Sequence, residues 1–366
     1  MKNQSPKKSQ LDKAPRHPVT AYDVARLAGV SQSAVSRAFT AGSSISLRTR
    51  LKVEDASQRL NYRPNLIARS LSMRRSNTVG VIVPPMNNAF FPELLEELSA
   101  AFNRLGYRVL LFTSSSSISS GPILEEVLHS RVDAVVTVSA SVSSRFAEEC
   151  QRSRLPIIFL NRKTDSKGVS SVTGANVQGA ETIASFLVAG RHTRYAFMAG
   201  LESSSTSRDR EIAFTRRLAK LGKTLCGRVN GNFSFEEAMS ASRTLLSARL
   251  RPDAIFCAND YMAIATIQIA RCEFGLDVGR DISIVGFDDS KPASWPAFLL
   301  TTYGQPARAM AERTAELLHG QLRSTDKRAA TEVIMPGDLV VRESARRPKR
   351  GLGGSPDRQI WSDTQI

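Results

Sequence analysis

The 366-residue sequence has little of what several function classes require. Its four cysteines, Cys150, Cys226, Cys257 and Cys272, are scattered with no CxxC spacing, which argues against a zinc ribbon or a disulfide framework and fits reduced thiols. The four histidines, His17, His129, His192 and His319, are equally dispersed, so neither a metal site nor a histidine-based catalytic centre is expected and no cofactor is implied. There is no P-loop and no GxGxxG, and the serine-rich stretches 114–120 and 203–207 lack the GxSxG of a nucleophile elbow. No apolar run approaches spanning length and the first residues lack an apolar signal core, so the expectation is a cytoplasmic, nucleoid-associated protein with no membrane partner.

What is present is charge, unevenly placed. The net charge is +16, and residues 1–76 hold fifteen Lys and Arg against four Asp and Glu, while residues beyond 345 hold five against two. The long stretch between is close to neutral. A basic head on a near-neutral body suggests a nucleic-acid module joined to a domain with another task. Residues 1–18, rich in Lys, Pro, Ser and Gln, are expected to be disordered, as is the Pro-, Gly- and Arg-rich tail 346–366, which has no heptad pattern.

Within the head, VTAYDVARLAGVSQSAVSRAF (residues 19–39) reads as a helix-turn-helix. Thr20 with Asp23 three positions on suggests a capping box in which Thr20 accepts a backbone hydrogen bond, and Val24, Ala25 and Leu27 supply the buried side. Gly29 suits the turn, and Ser31 caps a second helix packing through Ala34, Val35 and Ala38. Its outward face is Gln32, Ser33, Ser36 and Arg37. Arg bonds guanine and Gln adenine bidentately in a major groove, whereas Thr20, Ser31 and Ser36 are placed for phosphates. A third helix runs from Ser46 through Asn61 with Leu47, Leu51, Val53, Ala56 and Leu60 inward and Arg48, Thr49, Arg50 and Lys52 in phosphate reach. The following segment, 64–77, with Pro64 at a first turn and Asn65, Ala68, Arg69 and Leu71 after it, is too short to be a stable helix alone and reads as a hinge that folds only when docked.

From Thr78 to Ala345 short β-rich runs alternate with helical ones: VGVIVP, RVLLF, AVVTV and PIIFL in a first series, then YAFMAG, DAIFCAN and SIVGF in a second. This alternation predicts two doubly wound α/β lobes with a cleft between them. Ligands in such sheets bind beyond the carboxyl ends of strands. That rule selects Asn87, Phe90 and Phe91, then Asn161 and Arg162, Ser205, Thr206 and Arg208, Asn259 and Asp260, and Asp288. Amides, a carboxylate, an arginine and aromatic walls suit a sugar, or a sugar acid whose charge pairs with Arg208. Arg210 and Asp260 can equally be structural, and Asn161 and Asn259 can bridge the lobes instead of binding.

VTAYDVARLAGVSQSAVSRAF and LNYRPNLIARSL resemble the DNA-binding head and hinge of the lactose-repressor (LacI/GalR) family of bacterial transcription regulators. The resemblance continues through GYRVLLF, PIIFLNR, PDAIFCANDYMAIA, DISIVGFDD and LTTYGQP, covering about Val19 to Ser344. It implies an all-α helix-turn-helix head followed by a two-lobed, periplasmic-binding-protein-like core. It also implies base reading by Gln32, Ser33 and Arg37, and backbone contacts from Thr20, Ser31, Ser36, Thr49 and Asn65. Leu71 matches the family's minor-groove wedge, with Ala68 and Arg69 beside it. Phe90, Asn161, Arg208, Phe233, Asn259 and Asp288 match effector-contact positions. Two departures are Ala34, where threonine is frequent, and Ala213, where glycine is common.

The expectation is a regulator, most often a repressor in this family, that binds a pseudo-palindromic double-stranded operator as a homodimer and responds to a small molecule in the cleft. A sugar-binding transport protein would share the two lobes but needs no DNA head. A sugar-modifying enzyme would need a paired acid and base, for which only Asp288 with Asp260 or Asp289 is at hand.

Overall fold

The computed structural model describes residues 19–39, 43–63, 76–114, 120–139, 144–163, 166, 168–324, 329–356 and 358–363. The chain divides into two units, residues 1–76 and 77–366. The expectations for residues 1–18 and for Asn65, Ala68, Arg69 and Leu71 fall outside the described residues.

Among its described residues the first unit has three helices, α1 (Ala21–Ala28), α2 (Gln32–Ala38) and α3 (Leu47–Arg59). The Asp23 carboxylate reaches back to the Thr20 N–H at 3.0 Å and to its hydroxyl at 2.7 Å. The Thr20 hydroxyl donates to Asp23 and faces the Asp23 N–H, the reciprocal capping box that the sequence suggested. Those two bonds hold the Asp23 carboxyl below the usual carboxylate range. Gly29 ends α1 at φ 66°, a left-handed conformation that a Cβ would penalise. Ser31 and Ser46 then cap α2 and α3 by accepting from the N–H of Ala34 and Thr49. Val24, Ala25, Val35, Ala38, Val53 and Ala56 form the core. Leu27, Leu47 and Leu51, expected inside, are 44%, 72% and 56% exposed. The small Ala28, Ala25 and Ala56 positions bring the helices close enough that this core is filled without them. Arg50, expected near phosphate, instead donates to the Ala38 carbonyl at 2.8 Å and closes the end of α2.

The second unit is built on two sheets. The first carries β1 (Thr78–Val83), β2 (Arg108–Thr113), β3 (Ala134–Val138), β4 (Ile157–Leu160), β5 (Ser170–Gly174) and β11 (Glu332–Met335) in the order β11-β5-β4-β3-β1-β2, all parallel. The second carries β6 (Tyr195–Ala199), β7 (Leu225–Asn230), β8 (Ala254–Cys257), β9 (Ser283–Asp288), β10 (Thr301–Gly304), β12 (Leu339–Val340), β13 (Leu352–Ser355) and β14 (Arg358–Trp361) in the order β13-β14-β12-β10-β9-β8-β6-β7. The central strands β3, β4, β6, β8 and β9 are buried throughout. Continuous Val, Ile and Phe runs are what a parallel sheet covered on both faces requires.

The covering helices are α4 (Phe90–Arg104), α5 (Ser120–His129), α6 (Ser144–Arg152) and α11 (Ala307–Arg323) on the first lobe. On the second they are α7 (Asn176–Ala189), α8 (Ser205–Lys220), α9 (Phe235–Leu246) and α10 (Asp260–Cys272). The chain passes between lobes three times: after β5, after β10 and between β11 and β12. These crossings pack backbone against backbone. A Cβ on Gly337 would lie 1.8 Å from the Gly304 carbonyl oxygen, so the third crossing demands glycine. Among the described residues no helix is long and apolar enough to cross a membrane.

The expected disorder from Arg346 onward is overturned. Strands β13 and β14 form an antiparallel hairpin, and β14 pairs with β12, extending the second sheet. Trp361 is 3% exposed, meets Phe186 edge-on at 5.7 Å and donates its indole N–H to the Arg350 carbonyl at 3.0 Å. Asp363 pairs with Arg217 at 2.7 Å. Composition suggested a solvated tail, but the β12–β14 pairing, the buried indole and the Asp363–Arg217 pair dock it. Truncating a buried aromatic side chain costs about 3 to 5 kcal/mol. Trp361→Ala is therefore expected to lower the unfolding free energy from urea titration of the intact protein by that amount, whereas a solvated tail would leave it unmoved.

Candidate functional site

The first unit presents Gln32, Ser33, Ser36 and Arg37 together on the exposed side of α2, opposite the buried Ala34, Val35 and Ala38. Capping fixes the N-terminal turn of this helix. Ser31 and Ser33 share a hydroxyl–hydroxyl bond of 2.9 Å, and Ser31 also accepts from Ala34. Thr20 and Ser31 are exposed, while Thr49 is half-buried against Ser46 at 2.8 Å. Arg48 and Lys52 are exposed on α3. A short helix with a glutamine, a serine and an arginine on its open face is what base-edge reading needs.

In the second unit a cleft of about 410 Å³ takes its walls from both lobes. The first lobe supplies Asn87, Asn88, Phe91, Ser139, Asn161 and Arg162. The second supplies Thr206, Arg210, Asn232, Phe233, Asn259 and Asp288. Phe235 and Tyr261, rings 5.2 Å apart, add aromatic wall, and Glu236 and Glu237 stand where α9 begins. Three contacts span the cleft: Asn88 Nδ2 to Asp288 at 3.4 Å, Arg162 to the Ser203 carbonyl at 2.6 Å, and the Lys163 N–H to Ser205 Oγ at 3.1 Å.

The cleft floor is a buried charge cluster. Asp288, at the end of β9, accepts from Gln305 at 2.8 Å and faces Arg210 at 3.7 Å. Arg210 also donates to Asn176 at 2.8 Å and to the Ala258 carbonyl, and its guanidinium stacks 3.6 Å from the Phe287 ring centre. Burial pushes the Asp288 carboxyl up to about 6, against the pull of Arg210, Gln305 and Asn88, and pushes Arg210 down to about 10. Asp260 is raised further above the usual range by its own burial and by the Asp288 charge. Its oxygens are taken by Ser290 and Thr302, and it does not line the cleft. Asp260 is structural, and no acid–base pair faces the cleft through it.

Asn161 is 6% exposed at φ 60°, and its Nδ2 donates to Ser139 at 2.9 Å. Asn161 lines the cleft, and its Oδ1 is buried without a hydrogen-bond partner among the described residues. Asn259 spends its side-chain oxygen on the Met262 N–H as the cap of α10. Asn87, Phe91, Thr206, Phe233 and Arg162 also line the cleft, as the sequence suggested.

Besides Asp260, three expected residues do not: Ser205, whose hydroxyl accepts from the Lys163 N–H, Phe90 and Arg208. Phe90 is 2% exposed in the first-lobe core, where its ring packs on Phe91 at 5.9 Å. Arg208 is exposed and donates to the Glu202 carbonyl at 2.9 Å. Arg208 and Arg210 both lie on α8, which starts at Ser205, and two residues of helix turn a side chain by about 200°, so Arg210 faces in while Arg208 faces out. The sequence reading passed over Ser139, Asn232, Phe235 and Tyr261. Ser139 follows β3 and the strand-end rule reaches it, whereas Asn232 follows β7, whose LCGRVN pattern gave no strand signal.

Comparison with known proteins agrees with both halves. Residues 20–65 match the model of the bacterial regulatory proteins, lacI family, and residues 184–345 match a periplasmic binding protein-like domain. The chain is 31% identical to catabolite control protein A of Priestia megaterium over 79% of this chain and 88% of that protein. It is 30% identical to the ribose operon repressor of Escherichia coli K12 over 82% and 92%. A lac repressor dimer bound to operator and the anti-inducer ONPF superposes with a TM-score of 0.81 at 27% identity, over 90% of this chain and all of that one. The complex of the regulator CelR with cellobiose gives 0.69 at 26%, over 89% and 100%. A helix-turn-helix reader and a two-lobed effector domain, each matched over its own span, make this chain a DNA-binding transcriptional regulator that belongs to the lacI family of bacterial regulatory proteins.

Proposed function

We propose that the protein is a repressor that binds a pseudo-palindromic operator as a homodimer and is controlled by a neutral, hydroxyl-rich small molecule, a sugar, held between its lobes. The observation that carries the ligand class is the charge state of the cleft. Arg210 is already neutralised by Asp288, Arg162 donates to the Ser203 carbonyl across the cleft, and Arg208, the partner expected for a sugar acid, lies outside. The polar groups lining the cleft besides these are Asn161, whose amide oxygen has no partner among the described residues, the amides of Asn87 and Asn232, and Asp288 as an acceptor, between rings that stack on the apolar faces of a pyranose. Glu236 and Glu237 disfavour an anion further. The names of two relatives, a ribose operon repressor and a regulator in complex with cellobiose, point the same way.

On the DNA side, Gln32, Ser33 and Arg37 read bases while Thr20, Ser31, Ser36 and Thr49 set register on phosphates. Asn65, Ala68, Arg69 and Leu71 add to the DNA contact, and effector binding is coupled to operator binding by roughly 1 to 3 kcal/mol.

The test is selection of an operator from random duplexes by the full chain, followed by a gel shift on that operator against neutral sugars and sugar acids. A neutral sugar that alters the shift supports the reading; response to acids alone overturns the ligand class, and no enriched duplex overturns the repressor. Arg37→Ala is expected to weaken the selected operator by about 5- to 150-fold, the worth of one bidentate base contact, with random DNA little affected. Asn161→Ala is expected to remove the sugar response and Arg208→Ala to leave it intact.

Asp288 adds a pH dependence. A carboxyl raised by folding from 3.8 to about 6 contributes stability that is full below 3.8 and is lost as pH rises through 6. The fall corresponds to roughly 3 kcal/mol. Urea midpoints of the unliganded protein from pH 4 to 7 are expected to show this decline relative to Asp288→Asn; parallel profiles for the two would refute it.

A further inference from the structure

The C-terminal hairpin does more than cover a sheet edge. We propose that Arg358, on β14, is a positioning residue for the effector cleft, acting through Asp289 on the turn that carries Asp288. The inference rests on the cleft being the effector site. Asp289 follows Asp288 directly, and both occupy positive φ, 55° and 125°, so this turn is held in conformations that side chains resist. Something must restrain it. The Asp289 carboxylate is gripped from two sides, by Arg342 at 2.6 Å on one oxygen and by Arg358 at 3.4 Å on the other.

Arg358 also faces Asp338 at 3.9 Å. Asp338 belongs to the third interlobe crossing, and its carbonyl accepts from the Gly304 N–H at 2.8 Å, at the start of the second crossing. The next residue, Gln305, holds Asp288 through both its N–H, at 3.1 Å, and its side-chain amide, at 2.8 Å. One guanidinium, delivered by the last strand of the chain, therefore ties the end of β9 to two of the three segments about which the lobes move. The hairpin is anchored for this independently of Arg358, by Trp361 and by the Asp363–Arg217 pair. The Asp289 side chain is 13% exposed, so the grip is partly shielded from solvent, while Arg358 itself is half-exposed and contributes modestly.

Hydrogen exchange of the full, ligand-free chain tests this. In Arg358→Gln the amides of Gly304 and Gln305 are expected to exchange about two- to fivefold faster, with β6 and β8 unchanged and the melting midpoint within a degree or so. Arg358→Lys should recover part of the protection, since it keeps the charge but loses the fork that spans two carboxylates. Faster exchange confined to residues 352–361, or spread evenly over β6 and β8, would overturn the proposal by reducing Arg358 to a hairpin contact or a general stabiliser. Because the readout needs no effector, a failed sugar response leaves this result standing, and the reverse holds equally.

Discussion

Burial of two carboxylates and one guanidinium at the carboxyl ends of a parallel sheet is the constraint around which the second unit is arranged. Asp288, Asp260 and Arg210 are all at most 4% exposed. Buried charges persist only when hydrogen bonds replace the lost water. Ser290 and Thr302 serve Asp260, Gln305 and Asn88 serve Asp288, and Asn176, Ala258 and the Phe287 ring serve Arg210. These partners come from both lobes and from the first two crossings. The cleft is thus the exposed side of a polar network whose other side holds the crossings in register.

The same network explains why the cleft is suited to a neutral guest. An anionic guest would have to compete with Asp288 for Arg210, leaving a buried carboxylate with only neutral donors. A hydroxyl can instead donate to Asp288 or Asn161 without displacing an existing ion pair. Binding strength then comes from ring stacking and from groups already fixed in place. Asn161, Phe233 and Asp288 all hold positive φ, a sign that the backbone at the cleft is set by its surroundings and not by local preference.

Much of this was legible in the sequence because it is locally encoded. Gly29, Ser31 and Ser46 mark helix ends by rules that act within four residues, and the alternation of β-rich and helical runs announces a doubly wound sheet. The strand-end rule likewise found Asn87, Asn161, Asn259 and Asp288. What it could not supply was phase. Arg208 and Arg210 are equally polar neighbours at the start of one helix, and only the helix register decides which faces the cleft. Leu27, Leu47 and Leu51 look like core by residue type, yet alanines fill the head's interior and leave them outside. The hairpin escaped for a third reason: its glycines and arginines are what disordered tails contain, and the interaction that orders it joins Trp361 to Phe186, 175 positions earlier.

The threefold passage between lobes has a consequence for how the chain is made. The first lobe needs α11 and β11, which are translated after nearly all of the second lobe, and the second lobe finishes only with β14. At roughly 5 to 20 residues per second, β5 waits about ten to thirty seconds for its neighbour β11. The head faces no such delay, since its described helices lie within residues 21–59 and share a core with one another. On the ribosome, the part that reads DNA can be complete while the part that senses is still missing strands.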